Sequence, residues 1–538
     1  MNPQIELNNN IWVRTGDTYV RGHVFYEGDY VDSSDLGRIV NNTTGVEEIS
    51  KLLDEFIGFY GIVIDRDEQT ILVADRMRTG PLFYSQENGD LLVSDDCSWI
   101  IDQIPKTTWS EISRIEYKTS RFVTGSHTLY KEINQIQSGE IVVFDKSKNE
   151  FSFYQHHVHT VTKPEYGYEE LAKEFDRVLK SVFNRIVEIA NDRPIVLPLS
   201  GGYDSRLIAL MLKRVGYENV ITYTINTGGK NTDIAKRIAE NLGFPWYSAK
   251  LTHSDWQEFY ESDVWNNYFN RAAYIGSLPH PTNVPPIRRL KESGILPENA
   301  LFLPGHSSLD SMKATPVAFE NQDEINLDQL TNAIIDQHFK YNEHLSIPFE
   351  DVRDRVAETL GLTEDRTPSS LMEAFERWRL KERRAKLIVN GVRAIEFSKY
   401  QWWMPLEDKE LYEFWRQVPI EKKRHRSFYE KYIKQLYVEI AGVSLREAGH
   451  VADNDLKANI SNMIRGLPIE SAVRQLYSLW DESIFRYIYT KYFQLGKMYE
   501  SDPRYGITTK EKLKNNYNGQ SFLFFSLLAL SVTGDIEL

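Results

Sequence analysis

The chain has 538 residues, with 63 Lys and Arg against 77 Asp and Glu, a formal charge of −14 and a pI near 5.5. That length supports about two to four domains around a sizeable core. The acidity excludes a general polyanion binder, because gripping nucleic-acid phosphates takes a basic face, and the single cysteine, Cys97, excludes a disulfide framework or a thiolate zinc site.

Met1 to Glu6 lacks the charged-then-apolar pattern of a signal sequence, and the longest apolar stretch, Phe522 to Val532, is too short to span a bilayer. These features predict a cytoplasmic protein with no membrane span and no nucleic-acid partner. Residues 1–160 carry short apolar runs, Ile11-Trp12-Val13, Thr18-Tyr19-Val20, Gly61 to Ile64 and Ile71 to Ala74, separated by Asn, Asp and Gly turns. They predict an antiparallel α+β domain with one amphipathic helix, Val46 to Phe56.

Within it, Phe56 to Asp65, Ala74-Asp75-Arg76, Gly80 to Tyr84, Phe122 to Tyr130 and Ser138-Gly139-Glu140 resemble, in order and spacing, the glutaminase (Ntn-hydrolase-like, class II amidotransferase) domain of asparagine synthetase. In that family an N-terminal cysteine attacks the glutamine amide. Here residue 2 is Asn2, and Cys97 reads as a packed small residue. The resemblance therefore implies a domain that keeps its fold without hydrolysing glutamine. His157 and His159, taken as alternating on a strand, have no third metal ligand in view and mark the interdomain linker.

A helix from Tyr168 to about Asn191 leads into the strand-like Pro194 to Pro198, then Leu199-Ser200-Gly201-Gly202-Tyr203-Asp204-Ser205-Arg206, then an apolar helix from Leu207. A strand that delivers a Ser-Gly-Gly turn into a helix N-terminus gathers unpaired N–H groups at the positive end of the helix dipole, which makes an anion site. Glycine permits close approach of a phosphate. The pattern resembles the PP-loop of ATP pyrophosphatases, and no Gly-Lys-Ser/Thr follows to make it a Walker loop.

Val220 to Ile225 and Trp246 to Ala249 predict two more strands. Between them a helix capped at Thr232 or Asp233 carries Ile234, Ile238 and Leu242 on one stripe and ends at Gly243. The alternation predicts a doubly wound parallel sheet with its ligand at the strand carboxyl ends. Thr224, Ile225 and Asn226 are thereby expected to border the adenine and ribose beside Leu199. Residues 254–300, helical and aromatic-rich, are expected to wall the acceptor pocket.

The run Ala300 to Asp310 resembles the second nucleotide loop of asparagine synthetases. Gly305 fits its glycine, His306 replaces its glutamate, and Asp310 remains of its acidic pair. The resemblance implies Mg²⁺ held by Asp204 and Asp310. Farther on, Gln401 and Trp403 stand where the family carries Glu and Arg, and no lysine lies near Ser444 to Gly449, leaving Lys431, Lys434 and Lys457 as alternatives. The basic run Glu421 to Arg426 reads as a solvated helix face.

Three domains are expected: 1–160 glutaminase-like, 168–445 PP-loop synthetase, and 446–538 a helical extension. The implied function is an ATP- and Mg²⁺-dependent amide-forming ligase. A small-molecule, sugar-acid or peptide carboxylate is adenylated and an amine or ammonia attacks it, as in β-lactam synthetases, lasso peptide cyclases and surface-polysaccharide relatives. No catalytic residue is singled out. An inactive nucleotide-binding or scaffold member and an ammonia-using asparagine synthetase stay open as alternatives.

Overall fold

The computed structural model describes residues 3–449 except 88, 162–166, 227–229, 310–325, 340–349, 361–367 and 424–425. Asp310, Lys457 and almost all of the expected extension 446–538 lie outside the described residues.

The N-terminal half builds two stacked sheets. Strands β1 (Gln4–Glu6), β8 (Asp90–Ser94), β7 (Phe83–Glu87) and β9 (Asn134–Gln135) form one, in that spatial order. Seven strands form the other: β11 (Glu150–Gln155), β10 (Glu140–Asp145), β6 (Gln69–Ala74), β5 (Ile57–Asp65), β3 (Thr18–Tyr26) and β2 (Val13–Thr15), with β4 (Asp29–Val31) on β3. Pairing is antiparallel except between β1 and β8, which run parallel.

Period-two alternation sorts the side chains. Val63, Leu72, Ala74, Val142 and Phe144 face the smaller sheet, while Ile62, Ile64, Ile71, Val73, Ile141 and Val143 face helices α1 (Ser33–Asn41) and α2 (Val46–Glu55). Helix α2 matches the expected one. Helices α1, α3 (Cys97–Gln103) and α4 (Glu111–Ser120) add three to the single helix expected in this α+β half. They are short, and each starts at a polar cap, Asp32, Asp96 or Ser110, of the kind that also makes a turn. Cys97 is fully buried against Phe83 and Ile100, and burial pushes its thiol up.

Helix α5 (Tyr168–Ala190) joins this half to a five-stranded, wholly parallel sheet. Its order is β14 (Trp246–Lys250), β13 (Val220–Asn226), β12 (Ile195–Pro198), β15 (Leu301–Phe302), β16 (Gln401–Trp402). Helices α6 (Tyr203–Arg214) and α7 (Lys230–Leu242) connect β12 to β13 and β13 to β14. The chain then returns across β12 to lay down β15, so the winding reverses between β12 and β15, the place where such sheets bind ligands.

Pro198 ends β12, where ladder pairing stops, as its missing N–H requires. Helix α7 begins at Lys230, before the expected caps, and Gly243 closes it with φ +73°. Helices α8 (His253–Tyr260), α9 (Asp263–Arg271) and α10 (Val284–Glu292) follow, and the aromatic residues Trp256, Phe259 and Tyr268 pack into a core shared with Tyr117, Val123 and Leu129 of the N-terminal half.

The two halves are pinned by buried charge. The π-helix Leu380–Ile388 carries Glu382 and Lys386, both fully buried. Lys386 Nζ donates to Glu382 Oε2 at 2.5 Å and to the Val123 and Gly125 carbonyls at 2.9 and 2.5 Å, while Gly125 N–H donates to Glu382 at 3.0 Å. Burial pulls the Lys386 ammonium down to about 8.

His157 and His159 follow β11 and lie in no strand. His157 Nε2 and His159 Nδ1 both meet the Tyr412 hydroxyl, at 3.1 and 2.7 Å, and His159 Nε2 reaches Glu376 at 3.2 Å. Among the described residues no group of three His, Cys, Asp or Glu could hold a metal. Lys423 donates to the same Glu376 at 2.9 Å and is buried, which corrects the reading of the basic run as a solvated face. Among the described residues no helix is long and apolar enough to cross a membrane.

Candidate nucleotide site

At the reversal between β12 and β15 lies a cavity of about 260 Å³, lined by Ser200, Gly202, Asp204, Ser205, Gly305 and His306 among others. The loop is internally braced. Ser200 N–H donates to Ser205 Oγ at 3.0 Å, Gly202 N–H to Ser200 Oγ at 3.2 Å and Gly201 N–H to Asn231 Oδ1 at 2.6 Å. Thus the loop is held in shape before any ligand arrives.

Helix α6 begins bare. Gly202 is its N-cap without a side-chain hydrogen bond, and no described residue accepts from the N–H groups of Tyr203 and Asp204. Gly202 has φ −79° and ψ 174°, extended backbone open to any residue, and an added Cβ would meet only Ser200 Oγ at 3.4 Å. The glycine therefore keeps space clear beside free N–H groups at the positive end of a dipole, which suits a phosphate.

Asp204 sits on the first turn of α6. Its carboxylate accepts from the Tyr429 hydroxyl at 2.7 Å and pairs with Arg426 at 3.3 Å. Burial pushes the Tyr429 hydroxyl up and keeps it a donor. Arg206 is buried, donates to the Gly201 carbonyl at 3.2 Å and the Ala448 carbonyl at 2.6 Å, and lies between the Tyr203 and Tyr437 rings. It ties the loop to the chain's later helices.

Of the residues expected at the nucleotide, Ser200, Gly202, Asp204, Ser205 and Gly305 converge on the cavity. Gly201 lies in the loop wall. Leu199, Thr224 and Ile225 do not line it: Leu199 is buried, Thr224 donates to the Leu199 carbonyl at 2.7 Å and accepts from the Trp246 indole at 3.0 Å, and Ile225 packs on the core. Thr224 thus holds the loop from behind. Sequence reasoning missed Asn231, Tyr429 and Arg426, which reach the site from distant segments. Lys431 lies over the Tyr168 ring and Lys434 pairs with Glu430.

The residues fit a magnesium ion that arrives on a triphosphate. Asp204 is the one carboxylate among the lining residues described, and Mg²⁺ typically takes one or two carboxylates plus substrate phosphates. His306 Nδ1, buried with no partner among the described residues, offers the ligand a further polar contact.

Burial lowers His306 to about 3 and His280 to about 4. Their folded values lie below the unfolded value near 6.5, so between those limits the unfolded chain binds more protons. Stability is expected to fall as pH drops below about 6.5, by up to about 1.4 kcal/mol per histidine per pH unit. Melting curves from pH 7 to 4 check this, and His306→Gln should make the decline shallower.

Residues 32–155 match the glutamine amidotransferase domain and residues 178–272 the asparagine synthase domain, so over these two stretches the chain is similar to asparagine synthetase-like proteins.

Among individual relatives, the chain is similar to the microcin J25-processing protein McjC of Escherichia coli, 28% identical over 312 residues, 54% of each chain. A proposed glutamine-hydrolyzing asparagine synthetase 2 of Methanocaldococcus jannaschii is 22% identical over 219 residues, 39% of this chain and 42% of the relative. The tRNA-specific 2-thiouridylase MnmA of Lactobacillus delbrueckii subsp. bulgaricus is 29% identical over 97 residues, 16% of this chain and 24% of the relative. The similarity spans about half the length of McjC and less of the others.

Proposed function

We propose that the protein is an ATP-dependent ligase that forms an amide through an acyl-adenylate. The observation that carries this reading is the bare N-terminus of α6, facing a cavity that Gly202 and Gly305 keep open at the winding reversal of the sheet. A carboxylate oxygen attacks the α-phosphorus of ATP, the bond to the bridging oxygen breaks, and pyrophosphate leaves. An amine or ammonia then attacks the acyl carbon, AMP departs and the nitrogen loses a proton. A carboxylate cannot expel oxide at neutral pH, whereas the adenylate expels AMP.

In this scheme the N–H groups of Tyr203 and Asp204 and the hydroxyls of Ser200 and Ser205 hold the departing diphosphate where its charge develops. A magnesium ion at Asp204 would neutralise that charge, with Asp204 exchanging Arg426 for the metal. Asp310 is the second proposed ligand. Among the acceptors left open, the microcin-processing role in the name of the E. coli relative favours a peptide carboxylate. We place the protein in the cytoplasm, with domains at 1–160, 168–445 and 446–538.

A pyrophosphate-release assay with Mg·ATP and panels of peptide, sugar-acid and small carboxylates tests the reading. We expect acceptor-dependent release that falls at least about 100-fold in Asp204→Ala. ATP binding without release for any acceptor would instead support an inactive member, a reading favoured by the existing pairing of Asp204 with Arg426 and Tyr429.

A further inference from the structure

A larger cavity, about 850 Å³, lies between the two halves and away from the nucleotide loop. We propose that it binds a carboxylate carried on an apolar, aromatic-sized body. Its acidic side chains in the interior are already satisfied. Glu396 accepts from Arg21 at 2.5 Å, Arg393 at 2.6 Å and the Trp402 indole at 3.0 Å. Asp95 accepts from the Trp12 indole at 2.9 Å and the Asn8 N–H at 3.1 Å.

The cations are not all satisfied. Arg21, 4% exposed, spends one terminal nitrogen on Glu396, and no described residue accepts from its Nε or its other terminal nitrogen. At the rim, Arg271 and Lys399 are exposed, with no acidic partner among the described residues. Against these cations stands one exposed rim carboxylate, Glu6, so the open valences are mainly positive, which in a chain of net charge −14 calls for an anion.

The Arg21 side chain is aimed by backbone. It runs through a slot where a Cβ on Gly80 would stand 2.9 Å from its Cδ and one on Gly61 3.3 Å from its Cγ, with the Trp12 ring alongside. A planar guanidinium so fixed suits a planar carboxylate. Beside it His23 Nε2 has no partner among the described residues, and burial keeps the ring neutral, at about 4, so this nitrogen can donate to the second carboxylate oxygen. Phe59, Trp99 and Tyr268 supply apolar wall, and the volume suits a ligand of amino-acid to dipeptide size.

The short helix Arg393–Phe397 divides the two cavities: Ile395 lines the nucleotide cavity, while Arg393, Glu396 and Phe397 line this one. The proposal therefore stands apart from the ligase reading, and either can fail alone.

Calorimetric titration of the full chain with N-acetyl-phenylalanine, its amide and inorganic phosphate tests it. The acid is expected to bind saturably, the amide and phosphate at least about tenfold more weakly. Arg271→Glu with Lys399→Glu should weaken the acid about tenfold or more without moving the melting temperature or Mg·ATP affinity. Gly80→Ala, which crowds Arg21, should weaken it too. No binding of the acid up to about 10 mM, equal binding of amide or phosphate, or an unchanged affinity in the charge-reversed variant would each overturn the assignment. Loss of Mg·ATP binding with the acid still bound would sink the ligase reading alone.

Discussion

Replacing Gly202 by alanine is expected to weaken Mg·ATP binding by about 100-fold or more, close to 2.7 kcal/mol, while the protein stays folded. Any residue can adopt the Gly202 backbone, and its Cβ would meet only Ser200 Oγ at 3.4 Å, an ordinary contact. Gly→Ala at such a position leaves stability within about 1 kcal/mol of the parent. The methyl would occupy the approach to the bare N–H groups of α6, and hydrogen bonds from neutral donors to a charged phosphate are worth about 1.5–3 kcal/mol each. Calorimetry and a melting curve on the same sample separate the two effects: affinity falls and melting temperature holds.

The second large effect is structural. Lys386→Met is expected to destabilise the fold by about 3–5 kcal/mol, because it leaves the Glu382 carboxylate charged, buried and unpaired. It also takes the Lys386 donor from the Gly125 carbonyl and from the Val123 carbonyl, which keeps only Gln135 Nε2 at 3.3 Å. Glu382→Gln combined with Lys386→Met should recover part of the loss, since no lone charge then remains. Denaturant titration of both variants checks the order. Because the carbonyls belong to the N-terminal half, Lys386→Met should also loosen its junction with the π-helix.

The parallel sheet and its loop were legible because apolar runs, a terminal proline and paired glycines are local signals. Ser200, Gly202, Asp204 and Ser205 converge for that reason, whereas Gly305, about 100 residues on, was placed there by the family resemblance of its loop. Thr224 shows the limit: strand position placed it near the loop, but periodicity does not say where a hydroxyl points, and this one turns back to the Leu199 carbonyl. Arg426 and Tyr429 reach Asp204 across more than 200 residues of chain, which no local pattern reports.

Buried charge was the least visible feature. The run Leu380 to Ile388 holds five charged residues in nine, yet Glu382, Arg384 and Lys386 are all buried. Lys423 sits in a basic stretch and is nevertheless enclosed against Glu376. In each case the partner that makes burial tolerable comes from a distant segment or a helical register that hydropathy does not reveal.

The central claim is that the α6 N-terminus receives the diphosphate end of ATP. Its most direct test is competition: titrating the full chain with Mg·ATP in the presence of increasing pyrophosphate, for the parent and for Gly202→Ala. The account predicts that pyrophosphate displaces ATP from the parent and that the variant binds both poorly while still binding AMP. Undiminished ATP binding at saturating pyrophosphate, or an alanine variant with parental affinity for both, would contradict it.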